Sequence, residues 1–263
     1  MHSFWGILHF LALCIFLMNE AKTLAAQPEG RIIGGKIAYA GQFPFAVAIN
    51  VQTSDSKFFC GGALISNEWI LTAGHCVYNA VLFTIQLGSK DLTTADSNRQ
   101  TVATFDWVVH PDFNPDSIEN DIGLIQLRLP VTLTGYIQQI YMPTIELSDS
   151  TSVTVLGWGQ TSDSDAELSE NLRYQTVSTL SNEECRLFYG NQITENMVCA
   201  EGNYNQGTCI GDNGGPMVEY LSRYTWVVGV ASFISGNGCE STEPSGFTRI
   251  FPYVNWIRNI TNV

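Results

Sequence analysis

Positive charge is scarce in this chain: 12 Lys and Arg stand against 25 Asp and Glu, giving a formal net charge of −13. That balance disfavours a nucleic-acid partner, whose phosphates call for clustered cations. The acidic excess survives loss of the N-terminal segment, because Glu20 and Glu29 offset Lys22 and Arg31. Much of it sits in a stretch that reads as a solvated loop, with Asp163, Asp165, Glu167 and Glu170. Solubility is the first explanation of the charge and attraction to a cationic partner the second. Histidine is scarcer still, only His75 and His110 lying beyond the first ten residues. The cysteines form no C-x-x-C pair and no Cys/His cluster, so neither a metal nor another cofactor is expected. After Met18 no apolar run approaches the ~20 residues of a membrane helix, and none is expected. Repeats, heptads and low-complexity tracts are absent as well.

What is present suits a secreted globular domain. The 263 residues are 45% hydrophobic and 11% aromatic, enough for a substantial core. Ile7 to Met18 is apolar apart from His9 and is followed by the small residues Ala21, Ala25 and Ala26. This reads as a secretory signal over residues 1–25, cleaved within 21–26, although its n-region carries only the amino terminus and His2. Cys14 leaves with it. The six that remain are Cys60, Cys76, Cys185, Cys199, Cys209 and Cys239, an even set suited to an oxidising compartment, with about 15 pairings open. Short β-type runs recur at 45–49, 63–65, 84–87, 122–127, 153–156 and 226–230, separated by Asn, Asp, Ser and Gly, which predicts a barrel or sandwich. Tyr253, Val254, Ile257 and Ile260 follow Pro252 at helical spacing and predict a terminal helix. A boundary between two halves falls near 131–150.

Three segments carry chemistry. His75 lies in Leu71-Thr72-Ala73-Gly74-His75-Cys76, where small residues allow close packing; His110, before Pro111, reads as a surface residue. Asp121 opens the apolar strand Ile122-Gly123-Leu124-Ile125, and a carboxylate buried there needs a partner, though alone it could equally be a turn residue. A histidine base needs such a carboxylate to fix its tautomer and stabilise the imidazolium. Cys209-Ile210-Gly211-Asp212-Asn213-Gly214-Gly215-Pro216 is glycine-rich backbone able to present N–H groups to an oxyanion.

Taken in order, these segments resemble the trypsin/chymotrypsin (S1) serine peptidase family, whose motif reads Gly-Asp-Ser-Gly-Gly-Pro where this chain has Gly211-Asp212-Asn213-Gly214-Gly215-Pro216. Arg31-Ile32-Ile33-Gly34-Gly35, Gly157-Trp158-Gly159 and Ser232 extend the likeness over 32–263. The resemblance implies an all-β fold of two six-stranded antiparallel β-barrels with a C-terminal α-helix and the site between them. It also implies the disulfides Cys60–Cys76, Cys185–Cys199 and Cys209–Cys239. His75 would be the general base, Asp121 its orienting carboxylate, and the N–H groups of Gly211 and Asn213 the oxyanion hole. Residues 26–31 would be a short activation peptide, cut after Arg31 by a trypsin-like peptidase so that the Ile32 ammonium pairs with Asp212. That peptide is too short for a regulatory domain. Gly74 and Gly123 stand where the family commonly has alanine, removing no reacting group.

Asn213 is the decisive departure. Its amide offers no hydroxyl for His75 to deprotonate, and loss of the nucleophile in a related triad costs about 2 × 10⁶ in kcat. Deamidation at Asn213-Gly214 would give a carboxylate but no serine chemistry. By the same resemblance Gly207 forms the base of the specificity pocket and Ile234 and Ser245 its walls, favouring small or medium apolar side chains over Lys or Arg. The implied function is a secreted, catalytically silent relative that binds peptides or peptidase inhibitors, in a digestive secretion for example. The alternatives are an active chymotrypsin- or elastase-like endopeptidase, if position 213 is serine in the functional protein, and a regulator of a proteolytic cascade.

Overall fold

A computed structural model describes residues 35–202 and 207–263, so the proposed leader, Arg31 and Ile32 lie outside the described residues. In chain order the strands are β1 (Lys36–Ile37), β2 (Ala46–Gln52), β3 (Lys57–Leu64), β4 (Trp69–Thr72), β5 (Leu82–Leu87), β6 (Gln100–Thr104), β7 (Asp106–Val109) and β8 (Gly123–Gln126). They continue as β9 (Ser152–Gly157), β10 (Arg173–Leu180), β11 (Met197–Ala200), β12 (Pro216–Leu221), β13 (Tyr224–Phe233) and β14 (Ser245–Arg249). Helices are few: α1 (Gly74–Val77), α2 (Asn182–Tyr189) and α3 (Val254–Thr261).

The first half is the sheet β6-β5-β2-β3-β4-β8-β7. Its two edges, β6 and β7, are consecutive in the chain with only Phe105 between them, so one bent segment serves both ends. Thr104 bridges the bend: its hydroxyl donates to the Gln126 carbonyl at 2.8 Å and accepts the Asp106 N–H at 3.3 Å. In the second half β9 pairs with both β10 and β12, closing the ring β9-β10-β11-β14-β13-β12, and β1 adds to β10. This is the expected two-barrel fold, with the second half a closed six-stranded barrel to which the short β1 is added and the first a half-barrel of seven strands. Between β8 and β9 the chain crosses from one half to the other without a strand.

Side-chain alternation builds the cores. In β5, Phe83, Ile85 and Leu87 point inward and are buried, while Leu82, Thr84 and Gln86 are half-buried. Gly62 on β3 makes room for neighbours, since a Cβ there would lie 2.8 Å from both Ile49 Cδ1 and Ile70 Cγ2. The C-terminal helix forms as expected, burying Tyr253, Val254 and Ile257 in the larger core cluster with Ile260 packed partly against it. It also corrects the reading of His110. That ring is half-buried, 5.1 Å from Tyr253 and 5.0 Å from Trp256, and burial lowers its pKa against the opposing pull of Asp112.

The three disulfides are Cys60–Cys76, Cys185–Cys199 and Cys209–Cys239, the pairing implied by the resemblance. The second ties α2 to β11 across 14 residues of chain. A crosslink of that span contributes about 3 kcal/mol in the chain-entropy model. The paired variant Cys185→Ala/Cys199→Ala should therefore lose about that much in urea unfolding while keeping its barrel CD signature; a loss under about 1 kcal/mol would contradict this.

Candidate active site

The site begins where β4 ends. Buried Leu71, Thr72 and Ala73 run into α1, and Cys60–Cys76 fastens that turn to β3, leaving His75 part-exposed between them. Asp121 reaches the same place from the start of β8, fully buried. Its Oδ1 accepts the His75 backbone N–H at 2.8 Å, and its Oδ2 accepts the ring Nδ1–H, also at 2.8 Å. Ser232 from β13 donates to Oδ2 at 2.6 Å, and Thr248 from β14 donates to the Asp121 carbonyl at 2.7 Å. The buried carboxylate is thus satisfied from both halves, which removes the penalty an unpaired buried charge would carry. With Nδ1 protonated, the neutral ring keeps Nε2 free to accept a proton. Gly74 packs against this pair: a Cβ there would lie 3.2 Å from Asp121 Oδ1 and 3.0 Å from the Ile122 nitrogen. At Gly123 it would lie 2.6 Å from Val77 Cγ2.

The glycine-rich turn faces this pair across the interface between the halves. Gly61 of β3 donates its N–H to the Asn213 carbonyl at 2.7 Å, and a Cβ on Gly61 would come within 2.8 Å of Gly215 Cα. Gly214, at φ +79°, has Thr72 Oγ1 2.3 Å and the Gly61 carbonyl 2.5 Å from where a Cβ would be, so no side chain fits. Among the described residues neither the Gly211 nor the Asn213 N–H has a protein acceptor, as a pair of donors awaiting an anion requires. Asn213 itself is half-buried.

Asp212 points the other way, into a cradle that explains Gly157-Trp158-Gly159: a Cβ on either glycine would strike its carboxylate. It is 1% exposed and accepts the N–H groups of Gly159 at 2.7 Å and Cys209 at 2.9 Å. Burial, only partly offset by those bonds, pushes its pKa up to about 6. The pocket residues assemble around Cys209–Cys239. Among the described residues Ser245 Oγ is the one heavy atom near a Cβ built on Gly207, at 3.7 Å, and Ile234 packs against the disulfide. Two groupings of metal-type ligands, Cys60/His75/Cys76 and Asp163/Cys209/Cys239, both spend their sulfurs in disulfides. No helix of the described residues is long and apolar enough to cross a membrane.

Sequence reasoning missed Thr248 and Thr72. Thr248 carries no motif and Thr72 stands in the His75 segment with no role readable there, and both roles come from where β14 and β4 place two ordinary strand threonines.

Two predictions follow from this turn. Ring closure in deamidation needs the Gly214 nitrogen to attack Asn213 Cγ, but that N–H is committed to the Ala231 carbonyl at 2.8 Å. Incubation at alkaline pH should leave Asn213 intact in the folded protein and convert it in the urea-unfolded chain; equal rates by peptide mapping would contradict the geometry. Asp212, with its folded pKa raised from 3.8 to about 6, favours the protonated native state. In the uncleaved chain its penalty is absent below pH 3.8 and grows to about 3 kcal/mol above pH 6. The fall in Tm from pH 4 to 6.5 should therefore be smaller in Asp212→Asn than in the parent, and equal falls would contradict it.

Comparison with known proteins places this geometry. The family model described as Trypsin matches residues 32–257. Brachyurin from Leptuca pugilator is 37% identical over 88% of this chain and 99% of its own length. Collagenase from Hypoderma lineatum is 38% identical over 95% and 98%. A solved HL collagenase structure superimposes with a TM-score of 0.79 at 35% identity, covering 87% of this chain and 98% of that one. Chymotrypsin-like elastase family member 1 of Bos taurus is 31% identical over 89% of this chain. With two barrels, three disulfides and a His75–Asp121–Ser232 pairing already in place, this coverage makes the chain a member of the trypsin family of S1 peptidase domains.

Proposed function

We propose that this protein is a secreted trypsin-family member that binds substrate-like ligands in its cleft and does not cut them. One observation carries the reading: the machinery around the reaction centre is intact while position 213 holds asparagine. His75 is the base position and Asp121 holds its tautomer, with the Gly211 and Asn213 N–H groups facing the ligand carbonyl as an oxyanion hole. Attack on that carbonyl needs an oxygen that surrenders a proton to His75 Nε2 as the bond forms. The Asn213 amide nitrogen has its lone pair delocalised, and the amide oxygen carries no proton, so no acyl-enzyme forms. Binding survives, because the donors and pocket walls do not use the missing hydroxyl.

Activation follows the same logic. Cleavage after Arg31 by a trypsin-like peptidase frees the Ile32 ammonium, and Asp212 is a buried carboxylate whose own surroundings leave it short of positive charge. Pairing the two favours the ionised form of Asp212 and fixes the Gly211–Asn213 turn. Gly207, with no charge at the pocket base, and Ile234 at its wall favour small or medium apolar ligand side chains. The ligands are peptides or protein peptidase inhibitors, consistent with a role as an inhibitor decoy. A second reading, an active endopeptidase, is favoured by the intact His75–Asp121 pair and requires serine at 213.

The test is Asn213→Ser, cleaved after Arg31. It should hydrolyse peptides with small or medium apolar P1 residues and label with fluorophosphonate, at rates about 10³-fold or more above the cleaved parent, and His75→Ala should abolish the gain. The cleaved parent should bind reversible substrate-like inhibitors yet escape serpins, which need an acyl-enzyme. A folded, cleaved Asn213→Ser protein that stays inert would overturn the reading of the cleft; activity in the parent would overturn its silence.

A further inference from the structure

The cleft-wall segment that follows Ile234 forms no strand with its neighbours, yet it is held tightly from one direction. Asp163, in the loop after Gly159, accepts the Cys239 N–H on Oδ1 at 2.7 Å and the Glu240 N–H on Oδ2 at 3.1 Å. Its own N–H donates back to Glu240 Oε2 at 3.2 Å, closing a reciprocal pair. Gly238 is shaped to this carboxylate. Its φ is +96°, and a Cβ there would lie 2.3 Å from Asp163 Oδ2, so both the backbone and the space call for glycine. The same loop is tied to the far side of the cleft, where Gln160 donates its N–H to the Ile210 carbonyl at 2.8 Å. Cys239 in turn is bonded to Cys209, two residues before Gly211.

Three segments therefore meet at Asp163: its own loop, the Ile234–Glu240 wall and the Cys209–Asn213 turn. Nothing in the His75–Asp121 chemistry uses it, and as an exposed loop residue it adds no apolar burial. A carboxylate accepting two backbone N–H groups makes charge-assisted bonds stronger than those between neutral groups. We infer that Asp163 is a positioning residue that locks the Ile234–Glu240 wall onto the Cys209–Asn213 turn and so sets the aperture of the ligand pocket. Its effect on ligand choice rests on the binding function proposed above; the lock itself does not. Without Asp163 the wall is held by contacts with Glu243 just beyond it, from Ser235 Oγ and from Asn237 Nδ2 at 3.0 Å, and by the disulfide. The disulfide fixes the wall to the turn at Cys239 alone and leaves the 234–238 stretch free to shift about that point, and a wider pocket discriminates less between side-chain sizes.

The experiment compares the parent, Asp163→Ala and Asp163→Asn, each cleaved after Arg31, by hydrogen–deuterium exchange and by calorimetry with one reversible inhibitor scaffold carrying Ala, Leu or Phe at P1. In Asp163→Ala, exchange should quicken about tenfold in peptides covering 234–240 and also in those covering 209–213, with global Tm little changed. Asp163→Asn, which keeps one good acceptor, should fall between. The affinity ratio between Ala and Phe inhibitors should shrink about threefold or more in Asp163→Ala, with intermediate recovery in Asp163→Asn. Exchange that quickens only within residues 160–168, or not at all, overturns the lock whatever the inhibitors do. Propagated exchange with an unchanged inhibitor ratio overturns its control of the aperture. Should no inhibitor bind even the parent, the binding function fails, and the exchange data still decide the lock.

Discussion

Asp121 is the buried charge on which the two halves of this protein depend. It belongs to the first barrel by sequence, yet the Ser232 hydroxyl that bonds its carboxylate and the Thr248 hydroxyl that bonds its backbone carbonyl come from the second. A fully buried carboxylate left without its His75 and Ser232 donors would be costly, so docking of the barrels completes the hydrogen bonding of Asp121. The C-terminal helix reinforces the same spot from outside: the Tyr253 hydroxyl donates to Asn120 Oδ1 at 2.7 Å, beside Asp121. His75 then inherits its orientation from a group that is itself fixed by the fold.

The turn opposite is governed by backbone, which explains how asparagine can occupy position 213 without dismantling the site. Gly61 bonds to the Asn213 carbonyl, Gly214 bonds to Ala231, and Gly215 approaches β3 so closely that Gly61 has no room for a Cβ. None of these constraints reads the side chain at 213. Asp212 likewise depends on the glycines at 157 and 159 and on backbone N–H groups. Asparagine at position 213 therefore leaves the architecture in place, which is the physical basis for the proposal that the protein binds ligands without cutting them.

Much of this was legible before any coordinates. The apolar runs at 84–87, 122–127 and 153–156 lie in or across β5, β8 and β9, because the alternating burial of β5 and the continuous burial of β8 and β9 both show in sequence. Strand β10, Arg-Tyr-Gln-Thr-Val-Ser-Thr-Leu, was not legible, since only Val177 and Thr179 of it are buried and its outer face is polar. Helix α2 was missed although its start carries a readable signal: Ser181 and Glu184 form a reciprocal capping box. His75, Asp121 and the glycine-rich turn stood out through their motifs, whereas Thr248 and Asp163 depend on segments far apart in the chain and had no local mark.

The central claim, that a competent base stands ready with nothing to deprotonate, is tested most directly by the protonation of the His75 ring. Nitrogen-15 NMR of histidine-labelled, Arg31-cleaved protein with Asn213 in place should show, in the neutral state, Nδ1 protonated and slow to exchange through its bond to Asp121, and Nε2 bare. Asp121→Asn should reverse or scramble that tautomer. A neutral ring protonated on Nε2, or one indifferent to Asp121, would contradict the account.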